Sequence, residues 1–253
     1  TFVKQLQDLD ADVFVVVAFR MLPSVVYTIP PKGTFNVHAS LLPQYRGAAP
    51  IQWSIINGET KSGVTTFFLD EHTDTGAIIR QTEVEITRED NVGTLHDKLM
   101  FAGAEIAVDT LNDIETGNLS TRPQTTTEIL KPAPKIFKED MKINWDDSAE
   151  NIYNKIRGLS PYPAAFTTIN NVDEQGNDTG KANSIKIFES SITSAKSTEK
   201  PGTITIKGNK TMLISTKTFD ISIKSLQFEG KKRMDVEIFL AGFRISNYTK
   251  TLF

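Results

Sequence analysis

The chain has 253 residues, of which 39% are hydrophobic and 23% charged, and it contains no cysteine. This length allows one large domain or two ordinary ones, and the composition is typical of a soluble globular protein. No apolar run approaches the ~18 residues of a membrane-spanning helix. Because there is no cysteine, disulfides and thiolate metal sites are excluded, and we expect a cytoplasmic protein.

The net charge of −3 is distributed unevenly along the chain. Residues 1–130 carry 9 Lys and Arg against 17 Asp and Glu, a net charge of −8, whereas residues 131–253 carry 19 against 14, a net charge of +5. A basic second part joined to an acidic first part is expected when only the second part binds a polyanion. Ordinary scatter of surface charge is the alternative.

The first half of the sequence alternates between strand and helix patterns. Residues 12–18 form an apolar, β-branched run, which is typical of a strand buried on both faces of a parallel sheet. Residues 34–38 and 63–69 are predicted as further strands, and residues 49–57 as a helix. A long amphipathic helix is predicted between an N-capping Asn91 and Gly117. The alternation predicts an α/β domain with an open, mainly parallel sheet over residues 1–120.

The second half of the sequence has a different residue pattern. Residues 121–140 are rich in proline and polar residues and are predicted as a linker. A helix capped by Ser148 or Asp147 follows, and five short β-type runs come after it at nearly even spacing. These runs predict a small antiparallel barrel over residues 141–253, with a long polar hairpin loop at residues 170–183 and a helix at residues 235–243.

Asn36, His38 and Asp74 form a candidate set for acyl transfer. Side chains alternate faces along an extended segment, so Asn36 and His38 point to the same side. The asparagine can donate an amide N–H to a developing oxyanion, and the histidine can accept a proton from an attacking amine. Asp74 is placed to orient the imidazole and tune its charge. The alternatives are a strand-end pair that satisfies nearby backbone groups and an aspartate that only forms an Asx-turn.

Rival residues for this site are few. Asp70 is the competing carboxylate, and the Asp-Thr-Gly context favours Asp74. His72 is predicted as a solvated loop residue, and His96 as an inert residue on the exposed side of the long helix. The sequence has no GxGxxG, Walker, HExxH or Cys/His metal motif, so no metal is predicted.

The run from Phe35 to Trp53, FNVHASLLPQYRGAAPIQW, together with the later Asp-Thr-Gly, resembles the methionyl-tRNA formyltransferase family. The wider set of enzymes that use 10-formyltetrahydrofolate shares the Asn-x-His, the Ser-Leu-Leu-Pro loop and the Asp-Thr-Gly. The GAAPIQ continuation resembles the tRNA-specific branch. Further matches lie in GTLHDKL, INW and GKK, so the resemblance covers almost the whole chain.

The resemblance implies formyl transfer from 10-formyltetrahydrofolate, the co-substrate, to the amino group of initiator methionyl-tRNA. It assigns Asn36 to the formyl oxygen, His38 to the amine proton and Asp74 to the imidazole. It also implies an OB-like barrel that binds tRNA, and a monomer. The expected folate-binding residues are Ser40, Leu41, Leu42 and Pro43. The expected tRNA-binding residues are Arg46, Lys231, Lys232 and Arg233, with a structural corner and a solvated turn as the alternatives.

Two departures from the family pattern stand out. Relatives run about a further half-domain before the segment that opens here at Thr1, so we expect an N-terminally truncated chain without its first β/α units. Arg20 stands where many relatives carry glycine. Two other functions stay open at this point. One is a folate-dependent formyltransferase for a sugar-nucleotide or small amine, and the other is a catalytically silent tRNA-binding fragment.

Overall fold

The computed structural model describes residues 1–18, 21–125, 129–173, 175–208, 210–244, 248–249 and 251–252. Arg20 lies outside the described residues. Chain contacts divide the protein into two compact units. The first comprises Thr1–Ser54, Glu59–Glu89 and Thr94–Lys135, and the second comprises Ile55–Gly58, Asp90–Gly93 and Ile136–Phe253.

Eight elements precede residue 120. They are α1 (Phe2–Gln7), β1 (Phe14–Val17), α2 (Ser24–Tyr27), β2 (Thr34–His38), α3 (Pro50–Ile56), β3 (Lys61–Phe68), β4 (Ile78–Glu85) and α4 (Val92–Thr116). The sheet order is β1-β2-β3-β4. Its parallel pairing is limited to β1 and β2, because β3 and β4 each run antiparallel to the preceding strand. A short connection between β3 and β4 suffices for an antiparallel pair.

Strand β1 is partly exposed in this chain. Val15 and Val17 are 43% and 62% exposed. Within the part of the chain that the structure describes, β1 is an edge strand that pairs only with β2. The apolar run therefore predicted the strand correctly, and its burial on both faces, expected with the first β/α units in place, stays a prediction.

Helix α4 packs on the face of β2 and β3, as its apolar stripe predicts. Thr66 on β3 and Thr110 on α4 are fully buried and share a hydrogen bond of 2.8 Å between their hydroxyl oxygens. Gly117 ends the helix at φ +72°, a left-handed conformation suited to glycine. Asn91 accepts a hydrogen bond from the backbone N–H of Gly93 at the other end.

The remaining elements belong to the second unit. They are α5 (Lys138–Met141), α6 (Ala149–Leu159), β5 (Ala165–Val172), β6 (Asp178–Lys196), β7 (Ile204–Lys207), β8 (Thr211–Ile214), β9 (Phe219–Phe228), β10 (Met234–Asp235) and α7 (Val236–Gly242). The antiparallel sheet has the order β5-β6-β9-β8-β7, with β10 on β9. Three register shifts bend the long strand β6 along β9. One apolar cluster joins this sheet to α6 and α7.

The polar segment at residues 170–183 is mostly strand, not the long loop that its composition predicts. Strand β5 runs to Val172, and β6 begins at Asp178, its pairing partner. The turn between them is held by Asp173, whose carboxylate accepts backbone N–H groups of Gln175 and Asn177. Hydrogen bonds from Asn177 hold the pKa of Asp173 below its ordinary value. Cross-strand pairing overrides polar composition here.

None of the helices formed by the described residues combines the length and apolar character needed to cross a membrane.

Candidate active site

A cavity of about 850 Å³ opens in the first unit, beside the carboxyl end of β2. Its volume lies in the range of about 300–1,000 Å³ that is common for ligand pockets. The end of β2, the segment after Arg46, the loop before β4 and one face of α4 line it. Asn36, His38 and Asp74, which lie far apart in sequence, all contribute to this lining.

His38 is held by a backbone carbonyl group. Its side chain is only 7% exposed, and Nε2 lies 2.9 Å from the carbonyl oxygen of Tyr45. A carbonyl oxygen can only accept a hydrogen bond, so we assign the proton of the neutral ring to Nε2. The lone pair is therefore at Nδ1, which makes Nδ1 the atom able to take up a proton.

Asp74 faces that free nitrogen. Its Oδ2 lies 3.9 Å from Nδ1 of His38, which is too long for a direct hydrogen bond but close enough for an ion pair once the ring is protonated. The carboxylate is 13% exposed, and its Oδ2 accepts the backbone N–H of Gly47 at 2.9 Å. A proton taken up at Nδ1 thus creates an imidazolium next to a sheltered carboxylate.

The side chain of Asn36 lines the cavity, and its amide oxygen is unsatisfied. Among the described residues, its Oδ1 is buried without any hydrogen-bond partner. Such a group costs ~1–3 kcal/mol of stability, because it loses its bonds to water without replacing them. A polar group kept at this cost in a cavity wall is suited to contact with a ligand.

The segment from Tyr45 to Gly47 positions both partners of the ion pair. Through Tyr45 it holds His38, and through Gly47 it holds Asp74. Its own backbone is tied to the segment before residue 135: the N–H of Tyr45 donates to Lys131 at 2.7 Å, and the N–H of Ala133 donates to Arg46 at 2.8 Å. The structural corner that the sequence offered as the alternative role of Arg46 is therefore present, and it holds His38 and Asp74 through backbone groups.

A buried hydroxyl group anchors the same segment. The hydroxyl of Tyr45 donates to Glu59 at 2.6 Å, and Lys131 donates to the same carboxylate. Burial raises the pKa of Glu59, but the hydrogen bonds from Lys131 and Tyr45 outweigh burial and hold that pKa below its usual value. The carboxylate therefore stays charged at neutral pH and keeps Tyr45 in place.

Family models match both halves of the chain. Residues 1–111 match the model described as formyl transferase, and residues 135–244 match the formyl transferase C-terminal domain. A methionyl-tRNA formyltransferase of Flavobacterium johnsoniae is 47% identical over 250 residues, which cover 99% of this chain and 77% of the relative. One of Bacteroides fragilis is 44% identical over 252 residues, or 98% and 76% of the two chains. The chain belongs to the methionyl-tRNA formyltransferase family.

Solved structures confirm the formyltransferase fold. HypX from Aquifex aeolicus, solved with tetrahydrofolic acid, aligns with a TM-score of 0.66 at 18% identity, over 94% of this chain and 40% of HypX. The sugar 3N-formyl transferase WlaRD aligns with a TM-score of 0.64 at 21% identity, over 90% of this chain and 77% of WlaRD. At these identities the likeness concerns the fold alone.

The loop at residues 40–43 is buried at two of its four residues, and the cavity lining formed by described residues does not include it. Ser40 is fully buried and Leu42 is 3% exposed. The backbone N–H of Leu42 and the carbonyl of Ser40 both bond to the hydroxyl of Thr65. The loop thus supports the end of β2, and its contact with folate stays a prediction.

The predicted tRNA-binding residues differ in what they contact. Arg46 is bound to the side chain of Gln124 by two hydrogen bonds. Arg233 pairs with Glu189 and lies 4.5 Å above the ring of Phe188. Lys231 and Lys232 are exposed. Their contacts with tRNA stay a prediction, and the two lysines are the better placed for it.

The rival carboxylate has a structural task. Asp70 accepts the backbone N–H of His72 at 3.0 Å and the hydroxyl of Thr75 at 2.7 Å, so it shapes the loop that carries Asp74. His72 is exposed, and His96 lies at the cavity wall with a side chain 60% exposed. In the described parts of the chain, no group of three or more His, Cys, Asp or Glu side chains is arranged to hold a metal ion.

Proposed function

We propose that this protein transfers a formyl group from 10-formyltetrahydrofolate to the amino group of initiator methionyl-tRNA. The observation that carries the proposal is the His38–Asp74 pair, which lines one cavity together with the side chain of Asn36. Membership of the family supports the same reaction. A folate co-substrate suits this cavity of about 850 Å³, whose wall combines apolar side chains with the polar side chains of Asn36, His38 and Asp74.

The reaction needs one proton acceptor and one oxyanion donor. The amine nitrogen attacks the formyl carbon, and its excess proton passes to Nδ1 of His38. The bond from the formyl carbon to the folate nitrogen then breaks, and that nitrogen takes up the proton held by His38, which returns the ring to its neutral form. Asp74 stabilises the intervening imidazolium, which is 3.9 Å away. The formyl carbonyl is already activated on the folate nitrogen, so we propose that no metal takes part.

Asn36 is assigned to the formyl oxygen as it becomes negative, through its Nδ2–H group, because its unpaired Oδ1 can only accept hydrogen bonds. We expect Asn36→Ala to lower kcat by about 10²–10³-fold, because one oxyanion donor is lost. The free energy of unfolding should change much less than the activation free energy, because the amide oxygen has no hydrogen-bond partner among the described residues. Single-turnover kinetics and urea unfolding measure both effects. A variant that loses stability but keeps its rate would contradict the assignment.

The second half of the chain is proposed to bind the tRNA. Residues 131–253 carry a net charge of +5, which is of the sign needed for phosphate contacts. A sugar-nucleotide formyltransferase would have no use for this excess of basic residues. Translation takes place in the cytoplasm, so we propose a cytoplasmic monomer.

Replacing Lys231 and Lys232 by alanine is expected to weaken tRNA binding and to reduce the salt slope of log K by about 1 per lysine. The measurement is filter binding at several salt concentrations. The control is Lys61→Ala, an exposed lysine of the acidic half that pairs with Glu83. An unchanged salt slope in the double variant would remove these lysines from the tRNA contact.

The reaction itself is tested by a choice of acceptor. The protein is incubated with labelled 10-formyltetrahydrofolate and either methionyl-tRNA or a dTDP-amino sugar. We expect transfer to methionyl-tRNA only. Transfer to the amino sugar would establish the other formyltransferase class. Binding of methionyl-tRNA without transfer would instead indicate a catalytically silent tRNA-binding protein.

A further inference from the structure

Gln124 lies in the segment predicted as a linker, yet its side chain reaches the loop that carries Asp74. We propose that Gln124 is a positioning residue for formyl transfer: its side-chain amide fixes the backbone that aims Asp74 at His38. The proposal rests on the proposed function for its kinetic consequences. The claim that Gln124 fixes the loop carrying Asp74 does not depend on that function.

The amide nitrogen of Gln124 bonds to two backbone carbonyls at once. Nε2 donates to the carbonyl oxygen of Asp74 at 3.0 Å and to that of Gly76 at 2.8 Å. These two carbonyls flank Thr75, so a single side chain spans the turn. Asp74 itself has φ +56°, in the left-handed region that residues other than glycine seldom occupy. Such a conformation persists when surrounding contacts hold it, and Gln124 supplies two of them.

Arg46 determines which way the amide points. Its Nε and Nη2 lie 3.0 and 2.6 Å from Oε1 of Gln124. A guanidinium can only donate, and a backbone carbonyl can only accept, so the oxygen must face Arg46 and the NH₂ group must face Asp74. The neighbours on both sides therefore agree on one orientation of the amide. Arg46 acts on the site through Gln124 in this arrangement.

The contacts close into a ring. Arg46 is followed by Gly47, whose backbone N–H donates to the Asp74 carboxylate at 2.9 Å. Gln124 then links the backbone of Asp74 back to Arg46. The aspartate is thus held at its carboxylate by Gly47 and at its main chain by Gln124. Loss of either contact should therefore move the carboxylate of Asp74, which lies 3.9 Å from Nδ1 of His38, the nitrogen that takes up the proton.

The chain offers a matched control in Gln44. Its Nε2 donates to the carbonyl of Ile129 at 3.3 Å, and its Oε1 accepts the N–H of Lys131 at 2.8 Å. Like Gln124, it is a partly buried glutamine that ties the same two parts of the first unit together. Its side chain bonds to the backbone of Ile129 and Lys131, whereas that of Gln124 bonds to the backbone of Asp74 and Gly76. If Gln124 only tied these two parts of the chain together, substitutions at Gln124 and at Gln44 would change kcat to the same extent.

The experiment compares Gln124→Glu and Gln124→Ala with Gln44→Glu and Gln44→Ala. The glutamate at position 124 keeps an acceptor for Arg46 but loses the two donated bonds. We expect kcat of methionyl-tRNA formylation to fall by about 10²-fold in both Gln124 variants, since a misplacement of about 1 Å is enough for such a loss. KM for either substrate should change by less than about threefold, and the Gln44 variants should keep kcat within about threefold.

Hydrogen exchange over residues 70–76 is the second measurement, and it does not depend on catalysis. We expect faster exchange in Gln124→Glu than in the parent or in Gln44→Glu, because the turn has lost its bridge. A parental kcat in Gln124→Glu, or an equal loss in Gln44→Glu, would overturn the positioning role. So would unchanged exchange in Gln124→Glu. A parent that transfers no formyl group would refute the proposed function instead, whereas faster exchange would still support the bridge.

Discussion

His38→Ala is expected to lower kcat of formyl transfer by about 10²–10⁴-fold while the fold stays intact. The imidazole ring of His38 is the proton acceptor of the proposed reaction. The other two histidines, His72 and His96, were not predicted to act as bases. Structurally the change removes one hydrogen bond, to the carbonyl of Tyr45, worth ~1 kcal/mol. The measurement is single-turnover formylation of methionyl-tRNA, with circular dichroism to verify folding.

Asp74→Asn refines this test. Asparagine keeps an oxygen for the backbone N–H of Gly47 but removes the negative charge beside Nδ1 of His38. We therefore expect Asp74→Ala and Asp74→Asn both to be strongly impaired, since stabilisation of the imidazolium requires the charge. His72→Ala is the control, because His72 is exposed on the neighbouring loop. A rate for His38→Ala or Asp74→Ala within about threefold of the parent would refute their roles.

Gly47→Ala is expected to destabilise the protein by ~2–4 kcal/mol and to abolish most activity. Gly47 has φ +125°, and a Cβ atom there would lie 2.4 Å from the carbonyl oxygen of Ala133. That oxygen belongs to the backbone and accepts the N–H of Ala49, so it cannot move aside cheaply. The segment would have to shift and would carry the anchors of both His38 and Asp74 with it.

The loss expected for Gly47→Ala has two causes, the positive φ and the contact of the new Cβ with Ala133. Gly117→Ala is the comparison in which only a positive φ is present. Gly117 has φ +72°, but nothing lies within 4 Å of the position its Cβ would take. The substitution should therefore cost only the backbone term, ~1 kcal/mol, with activity kept. Urea unfolding of both variants measures the difference. Equal losses at the two positions would show that the close approach to Ala133 contributes nothing.

Local patterns were enough to predict several elements. The strand Thr34–His38 and the helix Val92–Thr116 were predicted with their ends, because a turn precedes the first and capping residues bound the second. The five β-type runs of the second half were all strands of one antiparallel sheet. Strand β4 was not predicted, because polar residues dominate Ile78–Glu85 and only Ile78 within that range is buried.

The pairing of Asn36 with His38 follows from strand periodicity, which depends on neighbours in sequence alone. The family motif then supplied Asp74. By contrast, the anchors of these residues lie on the carbonyl of Tyr45, the N–H of Gly47 and the amide of Gln124. Backbone groups are the same in every residue, so no sequence pattern marks which of them will bond to a side chain. A glutamine 50 positions from Asp74 becomes its neighbour only when the whole unit folds.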